Sequence, residues 1–419
     1  FPDLVSHEDQ VHELLRGPGG YPVIPVDLPD LAMRRRFGEW LAVQGWLSLE
    51  EGFSLEEWAR ISGGLRLRDL EDLARAAAAE GQPLSRAAIR EWKARAIRGM
   101  ARELVEVVEP EVGFQALGGL AHVRAYFARL RDRLRGGDPS APSAILLAGV
   151  PGTGKSFTVL ALAGELEIPV LTLRNIRERW VGASERNLER VLQLAEALAP
   201  CLIWIDEVDQ ALGQRSVAGS SDAGTSERML ARLWEFMGDA RRRGRILWVA
   251  TTNRPDLLDP ATVDRFQVVI PFIHPSRREV GELLPILAQR MGRELKADIK
   301  AIVPHFPALI TIRGLQEVLA WAADRADQEA GKVGAPIQAH HLEWALRDYK
   351  PNFNPYQHEF IALTALRMTS FQSLLPWRCR DSLDRELDLP PYLQHLVDEA
   401  GNLLGEPLEE RLQVLRERL

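Results

Sequence analysis

From Gly113 onward the chain alternates between two hydrophobic rhythms. Short apolar runs rich in β-branched residues, AILLAG from Ala144, Val170-Leu171-Thr172-Leu173, CLIWI from Cys201, ILWVATT from Ile246 and VVIPF from Val268, have the length and composition of buried parallel strands. Between them lie segments of helical period, such as FTVLALAGEL and SERNLERVLQLAEAL. This alternation predicts an α/β fold, a parallel five-stranded sheet covered by helices. The stretch GFQALGGLAHVRAYFARLRDRL leads into it through a glycine turn and an amphipathic helix, which Gly136-Gly137-Asp138-Pro139 breaks. From Ser276 to Lys350 the strand rhythm vanishes and helices follow one another, which predicts a small all-helical domain packed beside the sheet. Residues 351–419 open with the loop PNFNPYQ and continue in helices interrupted by PWRCRDSLDRELDLPP; they hold no chemical motif, and their apolar positions are expected to pack on the chain's own body or on a neighbouring subunit.

The first 95 residues repeat features found later. Val23-Ile24-Pro25 is followed by Pro29 and the helix start MRRRFGEWL, as Val269-Ile270-Pro271 is followed by Pro275 and SRREVGELL. LRDLEDLARAA from Leu67 answers IRGLQEVLAWAA from Ile312, and Pro83-Leu84 with Trp92 answers Pro336-Ile337 with Trp344. Three features in one order signal a duplicated unit. The alternative is that amphipathic helices resemble one another. The expected divisions are a strand-plus-helical remnant of the repeated unit at 1–95, the α/β domain at 96–275, the helical domain at 276–350 and a C-terminal helical region at 351–419.

Composition narrows the classes. With 419 residues and 46% hydrophobic content the chain can bury several cores. Its net charge of −7, both signs mixed along the chain, gives no basic stripe for nucleic acid. Cys201 and Cys379 form neither a disulfide framework nor a metal-ligand spacing, which fits a reducing, cytoplasmic setting. No apolar run is long enough to span a bilayer, and the start FPDLVSHEDQ lacks the marks of a signal peptide and an initiator methionine.

Chemistry concentrates in four places. Gly149 to Ser156, GVPGTGKS, satisfies the phosphate-loop pattern between a strand and a helix. Its glycines turn backbone N–H groups toward phosphates, Lys155 reaches the β- and γ-phosphates of ATP, and the Ser156 hydroxyl can bind Mg²⁺. Asp206 and Glu207 end an apolar strand, where the first would hold Mg²⁺ and the second polarise an attacking water. Asn253, after the fourth strand, could hold that water or be an ordinary turn residue. Arg265, before the last strand, could reach a γ-phosphate in an adjacent subunit or be a solvated surface charge.

Together, the glycine pair, the phosphate loop, WVGASERNLERVLQLAEALAPCLIWIDEVD, TTNRPDLLDPA and DRF resemble the AAA+ ATPases, specifically the clade with the second region of homology, over roughly residues 113 to 350. The resemblance implies that Gly118 and Gly119, with Leu120, lie near adenine, and that Pro151, Gly152, Thr153, Gly154, Lys155, Ser156 and Phe157 form the nucleotide loop. It further implies that Asp206 and Glu207 are the Walker B pair, Asn253 is sensor 1, and Arg265 is a finger acting in trans in a ring, expected to be a hexamer. Two departures stand out. The loop ATVDRF is shorter than the family's and carries one arginine, and Arg313 in Ile312-Arg313-Gly314-Leu315 resembles the sensor 2 arginine this clade often lacks, the alternative being a helix-surface charge. The repeat fits bacterial and plastid members whose first module has lost its motifs.

Two classes of function remain. In a ring that threads polypeptide, Trp180, Val181 and Gly182 would face the pore, the alternative being a tryptophan packed in the core. In a regulatory or assembly ATPase, the nucleotide cycle would switch a specific partner complex without threading. A nucleic-acid motor is disfavoured by charge.

Overall fold

The computed structural model describes residues 29–63, 65–89, 91–92, 105–108, 112–135, 138, 140–173, 184–212, 223–378 and 389–419. Trp180, Val181, Gly182, Cys379 and the strand expected at Val23-Ile24-Pro25 lie outside them. The chain divides into two compact units, Phe1–Lys93 and Ala94–Leu419.

The first unit is built from α1 (Leu31–Val43), α2 (Leu55–Ile61) and α3 (Leu67–Ala79). Short polar side chains fix where α1 and α2 start: Asp30 Oδ1 accepts from the Met33 N–H at 2.7 Å, and Ser54 Oγ from that of Glu57 at 3.1 Å. Gly38 lies inside α1 because a Cβ there would stand 2.5 Å from the buried ring of Trp58. After α1, Leu49 pairs in parallel with Leu84, which follows α3.

The second unit holds β1 (Glu106–Val108), α4 (Ala121–Arg135), β2 (Ala144–Gly149), α5 (Lys155–Leu166), β3 (Val170–Leu173), α6 (Ser184–Leu198), β4 (Cys201–Ile205), α7 (Val208–Leu212), α8 (Ala223–Gly238), β5 (Ile246–Thr252), α9 (Pro260–Val263) and β6 (Val268–Phe272). The sheet runs β1-β3-β4-β5-β2-β6, and all pairings are parallel except that of β1 with β3. Five parallel strands thus match the sequence pattern, and the sixth is an addition. Three residues flanked by charge give too short a rhythm to be recognised. Alternate strand residues feed opposite faces: Leu146 and Ala148 pack with α6 and α8, whereas Ile145 and Leu147 pack with α4 and α5.

The lid follows as α10 (Arg277–Arg290), β7 (Leu295–Lys296), α11 (Ile299–Ile302), α12 (Ile312–Ala330), β8 (Ile337–Gln338) and α13 (Ala339–Asp348). It is not wholly helical, since β7 and β8 pair in parallel through Leu295 and Ile337. The element order of helix, extended residue, short helix, long helix and extended partner is that of the first unit, with Leu49 and Leu84 in the places of Leu295 and Ile337.

Among the described residues after the lid are α14 (Pro355–Arg367), short 3-10 turns and α15 (Gly405–Arg418). Phe360, Leu363 and Leu366 of α14 share a core with Leu408, Leu412 and Leu415 of α15 and with Val150 and Ile273. The Val269 N–H donates to Ser370 Oγ at 2.8 Å, so the tail covers the edge of β6, which would otherwise present unpaired backbone groups. The tail therefore packs on the chain's own body. Among the described residues no helix is long and apolar enough to cross a membrane.

Candidate functional site

The loop after β2 turns sharply because its glycines permit it. A Cβ on Gly149 (φ 145°) would lie 1.9 Å from the Phe272 carbonyl oxygen of β6, and Gly152 and Gly154 take φ of 74° and 92°. Lys155 opens α5 and bends back: its Nζ donates to the carbonyls of Gly149 at 2.8 Å and Val150 at 2.7 Å. These backbone acceptors hold the ammonium in the cradle. Burial pushes the Lys155 ammonium down to about 7, against the pull of the carboxylates Asp209, Asp206 and Glu207 and together with the repulsion of Arg313. Ser156 is exposed at the helix start, and Phe157 is covered by the Arg290 guanidinium, 4.1 Å above its ring.

The acidic pair comes from β4, beyond β5 in the sheet order. Thr251, at the end of β5, ties it in place with one hydroxyl, which donates to Asp206 Oδ1 at 2.7 Å and accepts from the Glu207 N–H at 3.3 Å and the Trp204 indole at 3.4 Å. Glu207 has a φ of 51°, a left-handed conformation rare for a side-chain-bearing residue and a form of stored strain. Asn253 Nδ2 donates to Glu207 Oε1 at 3.4 Å, so the amide after β5 and the carboxylate after β4 meet. Thr252 donates to Asp209 at 2.6 Å, burying the carboxylate that acts most strongly on Lys155.

The lid closes the other side. The Arg313 N–H donates to the Gly152 carbonyl at 3.0 Å, and a Cβ on Gly152 would meet that of Arg313 at 3.0 Å. Gly118 and Gly119 form a turn whose next residue, Leu120, donates its N–H to Glu279 Oε1 of α10 at 3.0 Å. Arg265 stands exposed in the turn after α9. The loop 149–157, Asp206, Glu207, Asn253 and Arg313 are thus brought together, Gly118 and Gly119 lie beside them at the lid, and among the described residues no hydrogen bond or ion pair joins the Arg265 side chain to them.

Four residues here were not singled out from the sequence. Thr251 and Asp209 stood inside quoted stretches, but their pairing requires the register of β4 on β5. His122 and His358 came without a motif. Burial and the nearby Lys155 charge push His358 of α14 down to about 4, and its Nδ1 lies 3.3 Å from Nε2 of His274, which burial pushes down to about 3. The tail thus reaches the phosphate loop. Two oxygen donors, the Ser156 hydroxyl and the Asp206 carboxylate, are of the hard kind that Mg²⁺ prefers.

Residues 145–273 match the model of the ATPase family associated with various cellular activities (AAA), and residues 32–102 match that of the AAA+ chaperone second helical domain. The chain is 25% identical over 395 residues to a Cell division cycle protein 48 homolog of Archaeoglobus fulgidus, covering 83% of this chain and 53% of that one. It is 30% identical over 244 residues to ATP-dependent zinc metalloprotease FtsH 1 of Symbiobacterium thermophilum (54% and 41%), and 30% identical over 224 residues to a proteasome-activating nucleotidase of Methanocella arvoryzae (49% and 51%). It spans about half the length of these relatives or less. The solved FIGL-1 AAA domain superposes with a TM-score of 0.54 at 19% identity, over 65% of this chain and 95% of that one, a likeness of fold.

Proposed function

We propose that this chain, which belongs to the AAA ATPases, hydrolyses ATP as one subunit of a homo-oligomeric ring, a hexamer, and spends that energy on remodelling or threading protein substrates. The observation that carries the reading is the convergence of Lys155, Asp206, Glu207 and Asn253 at the ends of β2, β4 and β5, where phosphoryl transfer needs positioning and charge rather than covalent chemistry. Ser156 and Asp206 would hold Mg²⁺, which neutralises charge on the phosphates. Glu207 orients and deprotonates the attacking water, with Asn253 fixing its carboxylate. Arg265, exposed in the turn after α9, suits a finger offered to the neighbouring subunit.

Action on proteins is supported by the relatives, among them an ATP-dependent metalloprotease and a proteasome-activating nucleotidase. Trp180, Val181 and Gly182 would provide the pore contacts, and the setting would be cytoplasmic. A second reading, a nucleotide-switched ATPase acting on one partner complex, draws on the single-arginine loop and on the tail's approach to Lys155 through His358. Glu207→Gln separates binding from turnover. It should retain ATP and release no phosphate, and proteins recovered with it identify the substrate class; normal hydrolysis by this variant would contradict the assignment.

A further inference from the structure

One face of α4 meets the tail without being filled. Tyr126, Arg129, Leu130 and Arg133 recur at intervals of three and four residues, so they share that face. Opposite them stand Phe371, which caps the 3-10 turn Gln372–Leu374, and Ser373 and Leu374 of the turn itself. Together these residues line a groove of about 220 Å³. Its floor is apolar, since Leu130 and Leu374 are buried in the core that also holds Phe127 and Val159. Its rim is open, with Arg129, Arg133 and Ser373 exposed and the Phe371 ring left 56% exposed. A buried apolar centre inside a rim of arginine, aromatic and hydroxyl groups is the anatomy of a protein-binding patch.

The two guanidiniums of the rim are not equivalent. Arg133 is already engaged, its Nε donating to Asp138 Oδ2 at 2.7 Å and its Nη2 to Ser140 Oγ at 2.8 Å. Asp132, one turn along the helix from Arg129, is taken by Arg131 at 2.9 Å. Arg129 itself makes no hydrogen bond or ion pair among the described residues, and neither does the Tyr126 hydroxyl. Burial pushes the Tyr126 phenol up to about 12, against the pull of Arg133 and Arg129, so it remains a neutral O–H donor at working pH. No carboxylate is among the described residues that line the groove. Unanswered positive charge and donors therefore stand beside an apolar floor, and the missing complement is an anion attached to an apolar group.

We propose that this groove docks an extended segment of a partner protein in which an aspartate or glutamate stands next to a large apolar residue. The carboxylate takes the planar fork of Arg129 and the Tyr126 O–H, a charge-assisted contact that a neutral amide cannot replace. The neighbouring apolar side chain covers Phe371 and reaches Leu130 and Leu374. The volume lies below the ~300–1,000 Å³ typical of sites for drug-sized ligands, so the groove reads a short motif of side chains. It shares no residue with the loop 149–157, Asp206 or Glu207, and the proposal stands apart from the ATPase reading.

Calorimetric titration with a short capped peptide alternating leucine and aspartate, and with its counterpart carrying asparagine for aspartate, tests this in wild type, Arg129→Gln, Phe371→Ser and Lys155→Ala. Thermal melting and solution mass check folding and assembly. Wild type should bind the aspartate peptide with a Kd below about 1 mM and about tenfold tighter than the asparagine peptide, since hydrogen bonds to charged groups carry that difference. Arg129→Gln should erase the preference. Phe371→Ser should weaken both peptides alike, because it removes the contact they share. Lys155→Ala should bind as wild type does. Added salt should weaken the aspartate peptide alone. No binding at millimolar peptide, equal affinity of wild type for the two peptides, or an Arg129→Gln variant that keeps the preference would overturn the proposal. So would loss of binding in Lys155→Ala, which would put the peptide in the phosphate loop. A changed solution mass of Arg129→Gln or Phe371→Ser without peptide would overturn it too, marking this face as a contact between copies of the chain.

Discussion

Lys155 is pulled in two directions. Burial disfavours its charge, whereas Asp209, Asp206 and Glu207 favour it, and with backbone carbonyls on its Nζ the group is pushed down to about 7. Phosphates would replace those carbonyls with full negative charge and return it toward its ordinary value of 10.5. Between these values the bound form holds a proton that the free form lacks. Binding should therefore take up close to one proton at pH 8 to 9, and affinity should fall as pH rises through that window, by at most about tenfold per unit. Calorimetry in buffers of different ionisation enthalpy reads the uptake directly; no uptake at pH 8.5 would mean Lys155 is already charged in the free protein. The phosphate loop, Asp206, Glu207 and Asn253 were legible because their types and order are dictated by the chemistry. Thr251 and Asp209 were not, because a serviceable hydroxyl or carboxylate is recognisable only once two strands are in register.

At the scale of elements, the close approach of β2 and β6 depends on one hydrogen atom. Gly149→Ala would drive a Cβ into the Phe272 carbonyl, and since that contact is backbone it cannot be relieved by a rotamer. Melting should drop by several degrees or soluble protein be lost, and a wild-type melting curve would show that the strands can separate at little cost. The tail element carries its own pH signature. His274 and His358 are held near 3 and 4, well below the ordinary 6.5, so the unfolded chain binds more protons between those limits. Stability contributed by the neutral pair is present above pH 6.5 and is lost as pH falls toward 4. The charged groups facing it are Lys155, on His358, and the Glu359–Arg411 pair beside Tyr392. Urea unfolding at pH 7 and pH 5 should show this loss, and His274→Phe should reduce it; an unchanged slope in that variant would place the acid sensitivity elsewhere, His122 being the next candidate. The parallel strands and the lid helices were readable from rhythm. The three residues of β1, the two-residue strands of the lid and the course of the tail were not, since short pairings and packing partners leave little periodic trace.

On the scale of the whole molecule, the proposed roles of Arg265 and Trp180 are what tests of the site's use must address. A finger acting between subunits makes hydrolysis a property of the assembly. Mixtures of Arg265→Ala with Lys155→Ala subunits should then recover activity that neither has alone, because some interfaces join an intact loop to an intact arginine; mixed rings without any recovery would assign Arg265 to the surface. The helical element order shared by the first unit and the lid fits a tandem ancestry, with residues 32–102 matching a chaperone helical domain. The central claim is that ATP turnover at Lys155 and Glu207 is coupled to protein. Steady-state hydrolysis, measured with and without an unfolded protein in wild type and in Trp180→Ala, tests it most directly. Wild type should be stimulated several-fold, and Trp180→Ala should keep the basal rate and lose the stimulation. A wild-type rate indifferent to unfolded protein, or a Trp180→Ala variant stimulated in full, would contradict threading and leave the nucleotide-switched reading in its place.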